Sequence, residues 1–374
     1  MRPIPFIDLA AQQARIRPEI ERRIRGVLDH GQYIMGPEVA ELERGLAVFT
    51  GAKHAIAVSS GTDALLVAVM ALGIGRGDAV FVPAFTFPAT AEAIVVAGAT
   101  PIFVDVDEAT ANMDPADLAK RAEQAAKAGN LKLRAVMPVD LYGLPADYAA
   151  IRAVAAKYGM KVIADAAQSF GGALGGRRVG LLADVTCTSF FPAKPLGAYG
   201  DGGAVFTDDD ELAAVMKSIR VHGQGGGKYD IVRLGLNARI DTLQAAILLP
   251  KLEIFGDEIA KRQAVADGFA AHLPGVDIPR VPSGYQCAWA QYTIRVDRRD
   301  DVAARLKGQG VPTAVYYPKA MHHQAAYRPN APAQPLTVSD RLAERVLSLP
   351  MHPYLDAELI TYIGKAVVGA VAGR

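Results

Sequence analysis

One lysine of this chain lies among aromatic residues and glycines, in the stretch SFFPAKPLGAYGDGG (189–203). Phe190, Phe191 and Pro192 precede Lys194 closely, so its amine is expected to be partly withdrawn from water. Withdrawal from water lowers the pKa of an amine and favours the uncharged, nucleophilic form. The alternative is a lysine that extends from a loop into solvent, which is the usual case. The stretch therefore offers a reactive amine or a surface lysine.

A second motif, SSGTDAL (59–65), follows a predicted strand and opens a predicted helix. The free N–H groups of a helix start, with Gly61 allowing close approach and Thr62 offering a hydroxyl, form a candidate phosphate site. The alternative is an ordinary helix start that Thr62 or Asp63 caps. Both interpretations stay open at this point.

A third motif, VIADAAQS (162–169), places Asp165 at the end of an apolar strand, with Gln168 three residues later. A carboxylate in such a place needs a cationic or hydrogen-bonding partner. A protonated heteroaromatic nitrogen would serve, and a cap on the next segment is the alternative.

The order of these motifs carries more information than any one of them. A phosphate site, an aromatic loop (Phe85, Phe87), a strand-end acid (Asp165), Ser189 and Lys194 follow one another along the chain. A pyridoxal phosphate site needs these parts: an anion holder, a ring stacker, a partner for the pyridinium nitrogen and an amine. The sequence therefore predicts that cofactor.

The elements that must position these residues alternate in type. Short apolar runs bounded by Gly, Pro or Asp predict strands at 54–60, 78–84, 100–107, 133–143, 160–167, 185–191 and 202–209. Segments with helical spacing lie between them, and several end in Gly. Strands that are apolar along their whole length favour a mostly parallel sheet covered on both faces, with ligands at the carboxyl ends of its strands.

The pattern changes after about residue 240. The segment 241–273 predicts one long helix, or two helices joined near Pro250. Segments 287–296, 301–310 and 311–318 then predict a small α/β unit that a helix at 356–373 closes. We expect a large domain at 1–250, which includes an N-terminal segment at 1–30, and a small domain at 251–374.

Composition excludes several classes of partner. The 374 residues carry 40 Lys and Arg against 39 Asp and Glu, a net charge of +1, so no overall field attracts nucleic acid or an anionic membrane. Cys187 and Cys287 are too few for a disulfide framework and lack metal-ligand spacing, so no metal is predicted. Charges and prolines interrupt the N-terminus, and no apolar stretch is long enough for a bilayer, which predicts a cytoplasmic protein.

Several stretches of the chain resemble the DegT/DnrJ/StrS family of nucleotide-sugar aminotransferases. The motifs that carry the likeness are SSGTDAL, PAFTFPATAEAI, IADAAQSFGG, TSFFPAKPLGAYGDGGA and LNARIDTLQAA. The likeness is collinear from about residue 5 to the C-terminus. It implies the aspartate-aminotransferase-like α/β fold (pyridoxal phosphate fold type I), with a large domain whose mostly parallel sheet lies between helices and a small C-terminal α/β domain. It also implies a homodimer with shared active sites.

The resemblance implies a role for each matching residue. Lys194 would be the catalytic lysine that attaches to the cofactor, and Asp165 would pair with its pyridine nitrogen. Gln168 would lie by the phenolic oxygen, and Phe87 would stack on the ring. The cofactor phosphate would be held by Gly61, Thr62 and Ser189 of one subunit and Asn237 of the other. Arg239 would bind a carboxylate, for which a planar guanidinium is suited.

Further stretches, among them DHGQYIMGPEV, GVPTAVYYP and LSLPMHPYLD, resemble bacterial aminotransferases of UDP-2-acetamido-2-deoxy-3-oxo-D-glucuronate in O-antigen synthesis. The implied reaction moves the amino group of L-glutamate to C3 of that sugar. Two features depart from the pattern: Tyr316 stands where a histidine is common, and 222–235 is richer in glycine. The candidate substrate-binding residues are Arg239, Tyr316 and His322, with Lys228 as a further cation.

Other functions are compatible with the same motifs. The same chemistry could act on another nucleotide-linked 3-keto or 4-keto sugar, including a 6-deoxyhexose. A non-catalytic binding or regulatory protein could keep the fold, and a dehydratase relative would carry histidine in place of Lys194. The presence of Lys194 with Asp165 and Ser189 argues against both of these.

Overall fold

The computed structural model describes residues 3–227 and 229–373, so Lys228, a candidate substrate-binding cation, lies outside the described residues. The α-helices are α1 (Leu9–His30), α2 (Pro37–Thr50), α3 (Gly61–Ala71), α4 (Ala89–Val96), α5 (Pro115–Ala128), α6 (Tyr148–Lys157), α7 (Asp210–Arg220), α8 (Thr242–His272), α9 (Arg299–Gly308), α10 (Thr337–Arg345) and α11 (Ala357–Val371). Within the described ranges, no helix combines the length and the apolar character that crossing a bilayer requires.

The strands form one large sheet and two small ones. The strands are β1 (His54–Val58), β2 (Asp78–Pro83), β3 (Thr100–Val104), β4 (Lys132–Val136), β5 (Lys161–Asp165), β6 (Ala173–Leu174), β7 (Arg177–Arg178), β8 (Val185–Ser189), β9 (Gly203–Thr207), β10 (Tyr285–Gln286), β11 (Tyr292–Arg295) and β12 (Val346–Leu349). The large sheet has the order β1-β9-β8-β5-β4-β2-β3. Neighbours from β8 to β3 are parallel, and β9 runs antiparallel to β1 and β8. The prediction of a mostly parallel sheet is confirmed.

Helices cover both faces of this sheet, as the fully apolar strands predict. In β2 every residue is buried. Val80 and Val82 pack with residues of α3, α4 and α7 on one face, whereas Phe81 packs with residues of α5 and α6 on the other. Because side chains alternate along a strand, a strand that is apolar at every position needs cover on both sides.

A small α/β unit follows along the chain. Strands β11 and β12 pair antiparallel, and their side chains pack with those of α9 and α11. The ring centroid of Tyr292 in β11 lies 5.0 Å from that of Phe269 in α8. The segment 311–318 forms no strand of its own and contributes a single bridge, from Ala314 to Ser348.

The segment after residue 240 forms one helix rather than two, because α8 continues through Pro250. Helix α8 contacts α1 and α2 and also contacts α11 of the small unit. The proposed domain boundary at residue 250 lies within this helix, and the division into 1–250 and 251–374 stays a prediction.

Candidate active site

A pocket of about 400 Å³ lies where several strands of the large sheet end. Its walls come from residues that follow the carboxyl ends of β1, β2, β4, β5 and β8, which is where ligands of such sheets bind. Of the predicted site residues, it is lined by Gly61, Thr62, Phe87, Asp165, Gln168, Ser189, Lys194 and Tyr316. Residues far apart in the sequence therefore meet in one cavity.

Lys194 and Asp165 are two ionisable residues of this pocket that influence each other electrostatically. Lys194 is half-buried, and withdrawal from water lowers the pKa of its amine, while the Asp165 carboxylate opposes this shift. Asp165 is 5% exposed, and burial raises its pKa against the opposing effects of Thr90, the Ala167 N–H and Lys194. Its Oδ2 accepts a hydrogen bond from the Thr90 hydroxyl at 2.8 Å. Lys194 is thus a pocket residue and not a solvated surface lysine.

The start of α3 forms another wall. Ser60 caps the helix, because its hydroxyl oxygen accepts a hydrogen bond from the Asp63 N–H at 3.0 Å, so the alternative of a Thr62 or Asp63 cap was wrong. A Cβ at Gly61 would lie 2.6 Å from Cβ of Ser189, so a glycine lets the end of β8 approach the helix start. The first N–H groups of a helix lack intrahelical partners and carry partial positive charge. This corner suits an anion such as a phosphate.

A hydrogen-bonded aromatic group forms another wall. The Gln168 side chain accepts from the Tyr142 N–H at 2.6 Å and donates to the Tyr317 hydroxyl at 3.1 Å. The Tyr317 ring centroid lies 6.1 Å from that of Phe87, whose side chain is 55% exposed. Phe85, the other aromatic residue of that loop, is buried in the core. Only Phe87 of the two lines the pocket.

Sequence reasoning missed Tyr317 as a pocket residue and Thr90 as the hydrogen-bond partner of Asp165. Tyr317 was adjacent to the predicted Tyr316 in VYYP, and a second aromatic residue beside a candidate was the available signal. Thr90 lies within a helical pattern, and nothing in its own neighbourhood of the sequence indicates the hydrogen bond to Asp165.

Three of the predicted site residues, Asn237, Arg239 and His322, do not line the pocket. Asn237 and Arg239 are outside the pocket, and the Arg239 guanidinium donates to the Asn237 side-chain oxygen, from Nε at 2.9 Å. His322 is buried, and its Nε2 lies 3.1 Å from Asp340, to which His323 also binds. His322, His323 and Asp340 hold ligand-type atoms within 4.8 Å of one another, away from the pocket lining. The roles of all three predicted residues, and the expectation of no metal, stay predictions.

The residues in the pocket fit pyridoxal phosphate. The start of α3 with Ser189 can hold the phosphate, and Phe87 offers a ring face. Asp165 offers a buried acid that a protonated ring nitrogen would stabilise as a carboxylate, and Lys194 supplies the amine. The free N–H groups at the start of α3, which carry partial positive charge, are the feature that favours a phosphate over a neutral group.

Comparison with known proteins agrees with this geometry. Residues 14–368 match the DegT/DnrJ/EryC1/StrS aminotransferase family. The chain is 51% identical to the UDP-2-acetamido-2-deoxy-3-oxo-D-glucuronate aminotransferase of Pseudomonas aeruginosa, over 97% of this chain and 99% of that protein.

Solved structures give the same result for the fold. A DegT/DnrJ/EryC1/StrS aminotransferase from Brucella abortus superposes with a TM-score of 0.96 at 47% identity, covering 98% of this chain and 99% of that one. NtdA from Bacillus subtilis, solved with bound cofactor PMP, superposes with a TM-score of 0.85 at 28% identity, covering 100% of this chain and 85% of that one. The aspartate-aminotransferase-like fold is confirmed.

Proposed function

Because this chain belongs to the DegT/DnrJ/EryC1/StrS aminotransferase family, we propose that it transfers the amino group of L-glutamate to C3 of UDP-linked 2-acetamido-3-oxo-glucuronic acid. The product would be the corresponding 3-amino sugar, a building block for O-antigen or a related polysaccharide. The enzyme class and the cofactor come from the family itself: the protein is a pyridoxal-phosphate-dependent sugar aminotransferase. The particular sugar and the amino donor are the proposal.

The proposed roles of the site residues follow from their environments. When bound, pyridoxal phosphate accepts the electron pair that remains after a proton leaves the substrate carbon. Lys194 would take that proton and return it to the neighbouring position, because burial favours its uncharged amine. Asp165 would hold a negative charge against the protonated ring nitrogen, and Thr90 keeps that carboxylate oriented. The start of α3 would hold the phosphate end and so fix the ring.

The identity to the Pseudomonas aeruginosa enzyme is the observation that carries the choice of sugar. It extends over 97% of this chain and 99% of that protein, so the small unit is part of the match. The pocket lining also includes Phe6, Ile7, Ala290, Gln291 and Tyr316, which lie outside the large sheet. A cytoplasmic location stays a prediction of the sequence.

The charges of the pocket support a homodimer. Among the described residues that line the pocket, Lys194 is the single cation, and Asp165 and Asp201 are the acids. L-glutamate and a uronic acid both carry carboxylates, which need cationic partners in a confined site. Arg239, outside the pocket of its own chain, is the cation that we propose a second subunit inserts, together with Asn237.

The surface near these residues supports the same assembly. Apolar side chains are exposed in the segment before Asn237 and before α2, which is typical of a surface that another chain covers. They are Tyr33, Ile34, Met35, Ile231, Val232 and Leu234, and Leu234 is 87% exposed.

A panel of nucleotide sugars tests the proposed substrate. The holoenzyme with glutamate is expected to aminate the UDP-linked 3-keto uronic acid, generated in place by its dehydrogenase, and mass spectrometry would detect the gain of an amino group. A neutral 3-keto UDP-sugar and neutral 4-keto hexoses serve as comparison substrates. Amination of a neutral sugar alone would show that the sugar is wrong while the enzyme class stands.

Covalent attachment of the cofactor tests the enzyme class independently of the sugar. The wild-type protein is expected to be yellow with pyridoxal phosphate and, after borohydride reduction, to carry the cofactor on Lys194. Lys194→Ala is expected to carry no covalently attached cofactor after the same treatment, which peptide mass spectrometry would show. A wild-type protein that takes up no added cofactor would contradict the whole assignment.

A further inference from the structure

Lys251 of α8 is a fully buried cation. Its side chain is 0% exposed, and its Nζ donates a hydrogen bond to the Gly197 carbonyl at 2.6 Å. Nζ also lies 4.0 Å from the centroid of the Tyr199 ring. Among residues 3–227 and 229–373, no carboxylate comes within ion-pair distance of this amine, and Glu258 is the acid that acts on it from farther away. Burial of a charge without an adjacent counter-charge costs folding free energy, so we expect Lys251 to have a function that offsets this cost.

The carbonyl that Lys251 binds belongs to the loop of Lys194. The Lys194 N–H donates to the Phe191 carbonyl at 2.8 Å, and the Ala198 N–H donates to the Phe190 carbonyl at 2.7 Å. A Cβ at Gly197 would lie 2.4 Å from the Pro192 oxygen, so the loop closes tightly at this glycine. Because the loop is short and closed by these hydrogen bonds, a displacement of the Gly197 carbonyl would also displace Lys194.

Helix α8 contacts this loop at a second point. The Gln244 side-chain oxygen accepts a hydrogen bond from the Tyr199 N–H at 2.9 Å. Gln244 and Lys251 are seven residues apart, so they lie about two turns apart on the same face of α8. Two polar side chains of one helix thus bind two backbone groups that follow Lys194.

We propose that Lys251 is a positioning residue that fixes the Lys194 loop through the Gly197 carbonyl and so holds the Lys194 amine in its buried position. The proposal rests on the proposed role of Lys194. It assigns to Lys251, which lies outside the pocket, an indirect effect on catalysis. The charge of Lys251 strengthens its hydrogen bond, since bonds from charged donors are stronger than neutral ones.

Both lysines have titratable neighbours that could affect the pKa of the Lys194 amine. Lys194 faces Asp165, Asp201, Tyr316 and Tyr317 on the pocket side, and Asp8, Arg262, His352 and Tyr354 across a small cavity on its other side. Lys251 faces Tyr199 and, farther away, Glu258. None of these groups changes in the variants below, so a change at Lys194 reports on Lys251.

The experiment measures Lys194 directly in the cofactor-free protein. Acetic anhydride labelling across a pH series, read by peptide mass spectrometry, gives the pH midpoint at which Lys194 becomes reactive. In Lys251→Met the loop is expected to loosen and the Lys194 midpoint to rise by about one pH unit toward that of ordinary lysines. In the holoenzyme, kcat is expected to fall roughly 10- to 100-fold with KM for the sugar little changed.

Lys261→Met is the matched control, because Lys261 is an exposed lysine of the same helix that pairs with Asp257 at 2.9 Å. It should leave both the midpoint and kcat at wild-type values. If Lys251→Met does not fold, Lys251→Gln, which is neutral and one atom shorter, should show the same upward shift.

A wild-type midpoint in a folded Lys251 variant would overturn the proposal. This outcome is separate from a failure of the proposed function, because labelling needs neither cofactor nor substrate. A variant with the wild-type midpoint and a lowered melting temperature would show that Lys251 only stabilises the fold, and it would overturn the proposal as well.

Discussion

At the level of single residues, two buried acids near the pocket have different environments. Asp165 faces Lys194, whereas Asp140 is 0% exposed and its side chain accepts hydrogen bonds from the Ala146 N–H, the Tyr148 hydroxyl and the Ser169 hydroxyl. The two are linked through the backbone, since the Asp140 N–H donates to the Asp165 carbonyl at 3.0 Å. Burial raises the pKa of Asp140 to about 7, despite these three hydrogen bonds.

Asp140→Asn is expected to flatten part of the pH dependence of stability. With a folded pKa of about 7 and an unfolded pKa of about 3.9, the folded wild type holds a proton that the unfolded chain loses. The stability that Asp140 contributes is therefore fully present below the unfolded pKa and is lost as pH rises to the folded pKa, by about 1.4 kcal/mol per pH unit. Asparagine keeps two accepted bonds and can donate to Ser169.

Urea unfolding of both proteins at pH 5, 6, 7 and 8 measures the effect. The unfolding free energy of the variant, relative to that of the wild type, is expected to rise from pH 5 to 7 and to change little between pH 7 and 8. A constant difference in unfolding free energy across the series would contradict the raised pKa of Asp140.

The sequence predicted most of the pocket residues because their motifs follow strands, and strand ends meet at one edge of a parallel sheet. The local pattern could not separate Phe85 from Phe87, since which of two neighbouring aromatic residues enters the core depends on packing, and only the family resemblance selected Phe87. Nor could the local pattern choose Ser60 as the cap of α3, because Ser, Thr and Asp all suit that position. The hydrogen bond from Gln168 to Tyr317 joins residues 149 positions apart and has no local signature.

At the level of elements, the start of α3 depends on its contact with the end of β8. Gly61→Ala would place a Cβ 2.6 Å from Ser189 Cβ and 3.1 Å from its Oγ, so the backbone must shift. We expect affinity for pyridoxal phosphate to fall at least roughly 10-fold, the effect of losing an interaction of about 1.4 kcal/mol. Titration of the cofactor-free protein, followed by visible absorption, measures this affinity.

Gly26→Ala is the control for that prediction. Gly26 lies inside α1, and a Cβ there would meet nothing within 4 Å. It should leave cofactor affinity unchanged and stabilise the helix by up to about 1 kcal/mol. Equal affinities in both variants would show that the Gly61 contact does not shape the phosphate corner.

The elements of the large sheet were predictable because each strand is a short apolar run with clear boundaries. Helices α1 and α2 were not predicted, since their charged residues, such as those at 15–25, mask the apolar positions. Ile16, Ile20 and Val27 are nevertheless buried on one face of α1. Strand β12 was also not predicted, because LSLP has no alternation and its partner β11 lies about 50 residues earlier, too far for a hairpin signal.

At the level of the whole molecule, Lys194 is the single cation among the described residues that line the pocket of one chain. If a second subunit supplies Arg239, two different inactive variants should complement each other in a mixed dimer. Lys194→Ala is expected to be inactive by itself, and a double variant, Asn237→Ala with Arg239→Ala, should retain little activity. Mixed dimers join an intact Lys194 from one chain with an intact Asn237 and Arg239 from the other. Random exchange of equal amounts should restore about a quarter of wild-type activity.

Each variant subjected to the same exchange with itself is the control, and size-exclusion chromatography with light scattering gives the assembly. Mixtures no more active than the separate variants would mean that each chain completes its own site. A monomer with full activity would contradict the proposed assembly directly.

The spacing between Gln244 and Lys251 also constrains how this chain can change in length. Both side chains bind the Lys194 loop from one face of α8, and one added or deleted residue between them would rotate the second by about 100° around the helix. Substitutions between 244 and 251 can be accommodated, but insertions and deletions there would separate the two contacts. Related sequences that keep this attachment should therefore align through this segment without gaps, even where flanking loops differ in length.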